Sequence, residues 1–357
     1  MERADKNLAF MLQYENIAWY ENGKVRILDR RIYPTKVEFV ECTTHQEVTK
    51  AITDMVTQSA GPYTAAAMGM ALAAYECRNM NEAAQKDYLR KAAYTISHAR
   101  PSTVDRMVRI CEGCYQVAEI ALASGIDVPQ AIVDHTIRTN NDRYNKIKKI
   151  AMHLVDMFPQ NGKVLTQCFG ETIVGQMLAE ARERGNDLKI YCAETRPYFQ
   201  GARLTASVAK DMGFDVTLIT DNMPAYAIQN EKIDVFTSAA DVICQDGHVV
   251  NKVGTFQIAI VAKYMGVPYF ATGAPDKGHP TVDTLNIEMR DPDFVLQAMG
   301  VKTACDGVKG YYPSFDVTPP SLVSGVVTDA GIFSPYDLHR YFSSGNEGEY
   351  TQKDLCV

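Results

Sequence analysis

Along the chain the spacing of apolar positions changes character twice. Between Ile17 and Pro34, "IAWYENGKVRILDRRIYP", two runs rich in β-formers flank Asn22-Gly23. That pair suits the positive φ angles of a tight turn, so the stretch predicts a short β-hairpin. From about Gln46 to Ser124, stretches rich in Ala, Met, Leu, Lys and Glu carry apolar residues three and four apart, the period of packed helices. Pro101 interrupts this region and Gly125 ends it. The more polar "IRTNNDRYNKIKKIAMHLV", Ile137 to Val155, predicts a connecting helix, with a domain boundary near Asp142.

After Asn161 short apolar runs alternate with amphipathic stretches, as parallel strands joined by crossover helices require. Strands are expected at "KVLTQC", "KIYCA", "DVTLI", "DVFTSA" and "PYFAT", and helices at "ETIVGQMLAEARER", "GARLTASVAKDM", "MPAYAIQ" and "TFQIAIVAKYM". The predicted class is α/β: residues 1–141 form a mainly helical N-terminal domain with a β-hairpin. Residues 142–357 form a Rossmann-like, doubly wound parallel sheet carrying most of the active site.

Composition adds exclusions. At 357 residues the chain exceeds what one core usually holds, which agrees with two domains. Apolar residues make up 46% and charged residues 22%, and the net charge of −7 argues against general nucleic-acid binding. The most apolar run, "AAAMGMALAAY" from Ala65, is too short to span a bilayer. The N-terminus has mixed charges and no apolar core before a small-residue cleavage site, so a cytoplasmic protein is expected.

Nine cysteines, an odd count spread over a long chain, do not suit a disulfide framework. Cys111 and Cys114 in "CEGC" have metal or redox spacing, but no second such pair completes a zinc site, and no metal is expected. No G-x-G-x-x-G follows the first strand of the α/β part, and in "GAPDKGHP" His279 stands where a P-loop needs lysine. A small substrate, with no cofactor, is the expectation.

In such sheets ligands bind beyond the carboxyl ends of the strands. Those ends carry Cys168, "ETRPYFQGARLT", "TDNMPA", "AADVICQDGHVVNKVGT" and "GAPDKG". Cys168 precedes a predicted helix whose positive end favours a thiolate, so a lowered pKa is expected; the alternative is a small packing residue. Asp241, between Ala240 and Val242, is expected to be desolvated and so to have a raised pKa; the alternative is a cap or turn residue. Lys252, the helix N-terminus near Thr255, and Arg100 are candidate phosphate holders; each charge alone also reads as a solvated surface group.

Taken together, "HARPST", "ETRPYFQGARLT", "LITDNM", "SAAD", "NKVGTFQIAIVAKYMGVPYF" and "YYPSFDVTPPSLVSGVVTDAGI" resemble one superfamily. It comprises the methylthioribose-1-phosphate isomerases, ribose-1,5-bisphosphate isomerase and the regulatory subunits of translation initiation factor 2B. The likeness runs in order from about Ile17 to Pro335. The isomerases carry their catalytic cysteine in Leu-Thr-His-Cys-Asn and their catalytic aspartate in Gly-Ala-Asp, which the resemblance transfers to Cys168 and Asp241. It likewise implies that Arg100, Gln200, Asn251 and Lys252 contact phosphate and sugar.

The implied function is aldose–ketose isomerisation of a furanose 1-phosphate by a homodimer. Methylthioribose 1-phosphate comes first as substrate; ribose 1,5-bisphosphate and 5-deoxyribose 1-phosphate are the alternatives, and a noncatalytic sugar-phosphate or nucleotide sensor is the rival from another class. Two departures bear on the substrate. Where the isomerases have an Arg-Gly-Ala-Pro motif, this chain reads "TQSAGPYTAAA", without the arginine, and Cys168 lies between Gln167 and Phe169 in place of His and Asn. If Phe169 points inward, the pocket becomes more apolar.

Overall fold

A computed structural model of the protein describes residues 3–100 and 104–343. The chain divides into two compact units, one up to Asn145 and one from Lys146.

The first unit opens with a short helix, α1 (Tyr14–Ile17), and the predicted hairpin, β1 (Ala18–Glu21) and β2 (Lys24–Leu28). Its turn residues Asn22 and Gly23 both have positive φ. A third strand, β3 (Phe39–Cys42), extends it to an antiparallel sheet of three, an addition the sequence reading did not include. Five helices follow: α2 (His45–Thr53), α3 (Gly61–Cys77), α4 (Glu82–Ser97), α5 (Val104–Ser124) and α6 (Val128–Val155). Thr44 and Glu47 close a capping box at the start of α2. Helix α3 is apolar on every side and buried along nearly its whole length, which is why "AAAMGMALAAY" has no amphipathic period. At Gly69 a Cβ would stand 3.0 Å from Val48 Cγ1 and 3.3 Å from Ile96 Cδ1, so the glycine lets α3 pack closely on its neighbours. Helix α6 runs through the division between the units.

The second unit is built on a seven-stranded sheet. Its strands are β4 (Lys163–Thr166), β5 (Lys189–Ala193), β6 (Asp215–Ile219), β7 (Val235–Ala239), β10 (Tyr269–Thr272), β14 (Gly325–Thr328) and β15 (Gly331–Phe333), in the order β15-β14-β10-β7-β4-β5-β6. Only β15 is antiparallel to its neighbour. The five strands expected from sequence are all present; β14 and β15 extend the sheet. Central strands such as β10 are buried on both faces and read as unbroken apolar runs, whereas edge strand β6 is largely exposed. Crossovers use α7 (Thr172–Glu183), α8 (Ala206–Asp211), α9 (Pro224–Glu231) and α10 (Thr255–Tyr264).

A smaller antiparallel sheet, β8 (Val242–Ile243), β9 (Val249–Lys252) and β13 (Phe315–Thr318), hangs on the connection after β7. The pair β11 (Gln297–Ala298) and β12 (Val301–Lys302) and a final helix, α11 (His339–Ser343), complete the described chain. Among the described residues no helix is long and apolar enough to cross a membrane.

Candidate functional site

The order of the large sheet reverses between β4 and β7: β5 and β6 lie to one side of β4, and β7, β10 and β14 to the other. This is the switch point at which an open α/β sheet forms a crevice beyond its strand ends. Cys168 follows β4 and Asp241 follows β7, so two of the candidate residues leave the pair of strands that flank the crevice.

Cys168 is held in a backbone conformation uncommon outside glycine, with φ +62°. Two threonines fix it. Its N–H donates to Thr195 Oγ1 (3.1 Å), and the Thr205 hydroxyl donates to its carbonyl oxygen. Thr195 is in turn anchored by Asp221, whose carboxylate accepts from the N–H groups of Thr195 (2.8 Å) and Arg196 (2.6 Å). The "TDNMPA" segment after β6 thus positions the cysteine through the loop after β5.

Beside the thiol opens a small cleft. Thr166, Thr237 and Thr272 of β4, β7 and β10 line it together with Ile173, Val174 and Met177 of α7. Phe169 is buried and is not among the lining residues, so the apolar character of the cleft comes from α7. Gln167, which stands where the isomerase motif has histidine, is buried and donates to the Val253 carbonyl (3.2 Å). A Cβ at Gly254, where φ is +106°, would come within 2.8 Å of Gln167 Nε2. Gln167 therefore ties the end of β4 to the turn after β9.

Lys252 is buried at the end of β9, with its ammonium 4.9 Å from the centre of the Phe315 ring. Burial lowers its pKa, the Cys168 thiol raises it, Arg290 lowers it and Asp241 raises it. Conversely, burial pushes the Cys168 thiol up to about 11, with Lys252 opposing and Asp241 adding to the rise. Cys168, Asp241 and Lys252 are thus brought within electrostatic reach of one another.

Two expectations are corrected here. The thiol is not lowered: α7 begins only at Thr172, and desolvation outweighs the lowering effects of the Lys252 ammonium and the Phe169 N–H. Asp241 is not desolvated: its N–H donates to the Val250 carbonyl (2.8 Å), but the residue is exposed.

The helix N-terminus near Thr255 is also already occupied. Asp316 of β13 accepts from the N–H groups of Gly254 (2.6 Å) and Phe256 (3.2 Å), so these donors serve a carboxylate of the protein. Burial raises the Asp316 pKa to about 6, against the lowering effect of those two N–H groups and of Lys252. Asp316 was absent from the candidates because only the pairing of β13 with β9, which sets it opposite Asn251, brings it here.

Asn251 is buried and donates through Nδ2 to Thr255 Oγ1 (3.0 Å). Gln200, half-buried after β5, has a buried Oε1 with no hydrogen-bond partner. Arg100 belongs to the first unit, where it is half-buried beyond α4; Pro101 to Thr103 of its motif lie outside the described residues. In that unit the segment "TQSAGPY" has other arginines beside it. Arg30, fully buried, donates to the Gln58 carbonyl (2.6 Å), and Arg106 donates to the Tyr63 hydroxyl (3.2 Å). Cys111 and Cys114 are buried within the first core, and no group of three or more metal-ligating side chains occurs among the described residues.

Comparison with known proteins agrees with this geometry. A family model described as the initiation factor 2 subunit family matches residues 57–335. The chain is 34% identical to a methylthioribose-1-phosphate isomerase of Geobacillus thermodenitrificans over 337 residues, 89% of this chain and 92% of that one. In structure it is similar to the 5-methylthioribose 1-phosphate isomerase of Pyrococcus horikoshii, with a TM-score of 0.81, 27% identity, and coverage of 92% of this chain and 94% of the other. It is also similar to subunit delta of translation initiation factor eIF-2B from A. fulgidus, with a TM-score of 0.80, 28% identity, and coverage of 89% and 95%. With a family match over most of its length and relatives above 30% identity, the chain belongs to the initiation factor 2 subunit family.

Proposed function

We propose that this protein is a sugar-phosphate isomerase that converts a furanose 1-phosphate to the 2-ketose 1-phosphate, with Cys168 and Asp241 as its proton-transfer groups. The observation that carries the reading is the meeting of a thiol, a carboxylate and a buried ammonium at the switch point between β4 and β7. Methylthioribose 1-phosphate is the first substrate to test, because relatives sharing about a third of their residues over most of the chain carry that name.

A thiol held up to about 11 is protonated near neutrality, which supports Cys168 as the proton donor, and Asp241 is assigned as the acceptor. In the proposed sequence the thiol proton passes to the ring oxygen as the C1–O bond of the ring breaks. The C2 proton passes to Asp241 and its electron pair forms the C1=C2 bond, giving an enol phosphate. Asp241 then returns a proton to C1 while the thiolate, stabilised by the Lys252 ammonium, takes the proton of the C2 hydroxyl, which becomes the ketone. Both groups end as they began, and no oxidant is consumed. Substrate closing over Asp241 removes it from water and makes it a stronger base. Gln200, Asn251, Lys252 and Arg100 are assigned to the sugar and phosphate.

Purified protein offered methylthioribose 1-phosphate, ribose 1,5-bisphosphate and 5-deoxyribose 1-phosphate should convert one of them to a ketose phosphate. Cys168→Ser and Asp241→Asn should each lower kcat by about 10²–10⁴-fold. Turnover that survives both substitutions would sink the mechanism. Tight binding without turnover by the wild type would instead favour a noncatalytic sensor.

A further inference from the structure

A polar group that none of these assignments uses lies near the segment that carries the aromatic neighbour of Lys252. The chain returns to the small sheet through an antiparallel bridge at Met289 and Pro313, in which the Arg290 N–H donates to the Tyr312 carbonyl (3.0 Å) and the Ser314 N–H to the Glu288 carbonyl (2.9 Å). This return leads directly into β13, where Phe315 lies opposite Lys252. Tyr312 is only 2% exposed; the Arg290 guanidinium, which can only donate, approaches its hydroxyl oxygen, and the O–H itself has no acceptor in the protein. Its ring centre lies 6.2 Å from that of Tyr198, in the same loop as Gln200.

Arg290 borders the same space. It is paired with Glu288 (3.2 Å), with its Cζ 5.9 Å from the Tyr198 ring centre and 5.8 Å from that of Phe315. Phe315 thus neighbours two cations, Arg290 and Lys252. The Tyr312 hydroxyl lies within electrostatic reach of both Arg290 and Cys168.

A buried O–H without an acceptor costs stability, and such groups in native proteins call for an explanation. Here it is one of a pair: the Tyr312 O–H, a donor without an acceptor, and Gln200 Oε1, an acceptor without a donor, are both buried, on segments joined by Tyr198. A donor within electrostatic reach of the thiol and an acceptor on the loop after β5 match vicinal sugar hydroxyls, which accept and donate at neighbouring carbons.

We infer that the Tyr312 hydroxyl is a substrate-binding group that donates a hydrogen bond to a hydroxyl oxygen of the sugar, with Gln200 Oε1 accepting from the neighbouring hydroxyl and Arg290 holding the tyrosine ring in place. The inference rests on the sugar-phosphate reading above. It adds a recognition element for the sugar itself, separate from the phosphate.

Tyr312→Phe keeps the ring and removes only the oxygen. The free variant should unfold within a few degrees of the wild-type temperature, since the oxygen loses its contact with the Arg290 guanidinium but Arg290 keeps Glu288. Its affinity for the sugar phosphate that the wild type binds, followed by ligand-induced shift of Tm and by KM, should fall about tenfold. Affinity for inorganic phosphate, which has no sugar hydroxyls, should not change. A variant that binds the sugar phosphate as tightly as the wild type, or whose ligand-free Tm falls by more than about ten degrees, would overturn the assignment of Tyr312 alone. A wild-type protein that binds none of the sugar phosphates would overturn the functional reading and this inference with it.

Discussion

Cys168 and Lys252 set each other's protonation. Burial penalises a thiolate and an ammonium alike, yet each charged form favours the other, so the pair responds to loss of either partner. Lys252→Met keeps the length of the side chain and removes the charge. With the lowering influence gone, the thiol pKa moves further up, and at pH 8–9 alkylation of Cys168 by iodoacetamide, followed by peptide mass spectrometry, should slow about threefold or more. Alkylation at an unchanged or higher rate would show that the ammonium does not act on the thiol. The positions of these residues were legible in the sequence, because the ends of apolar runs in an alternating pattern are where an α/β sheet binds ligands. Their environments were not. Whether Cys168 is desolvated and Asp241 exposed depends on how strand ends and loops pack, and for that reason local sequence misread both the direction of the thiol's shift and the burial of Asp241.

At the scale of elements, the turn from β9 into α10 is held by a carboxylate from a strand more than sixty residues later in the chain. Asp316 accepts from Gly254 and Phe256, and its pKa, raised to about 6 by burial, has a definite consequence for stability. A carboxyl with a higher pKa in the folded state binds more protons there than in the unfolded chain. Its contribution is therefore fully present below about pH 4, the unfolded range, and is lost as the pH rises through 6. At about 1.4 kcal/mol per unit, the loss is at most roughly 3 kcal/mol. Asp316→Asn cannot titrate, so denaturant unfolding should show the variant gaining on the wild type by up to that amount between pH 4 and 7. A difference between the two that stays constant with pH would contradict this account. The hairpin, the five sheet strands and the four crossover helices were legible because each has a periodic apolar run or a turn pair. Strands β8, β9 and β13 are two to four residues long, and their pairing is set by the chain's return after β13's approach, which no local pattern encodes.

Across the whole molecule the thiols mark two separate interiors. Cys42, Cys77, Cys111 and Cys114 belong to the core of the first unit, whereas Cys192 and Cys244 are buried in the second. Burial pushes Cys42 and Cys77 up to about 11 and Cys114, Cys192 and Cys244 up to about 12, so at neutral pH each is both shielded and protonated. Cys305 is exposed and is open to reagent without any unfolding. Labelling of the six buried thiols thus requires opening of the structure around them, and residues in one cooperative unit should open together. Two units, each with its own core, predict two labelling groups in moderate guanidinium: Cys42, Cys77, Cys111 and Cys114 at one rate, Cys192 and Cys244 at another. Pulsed alkylation with mass spectrometry resolves the individual sites. A single rate for all six would mean that the two units unfold as one, and that the division after Asn145 is geometric without being energetic.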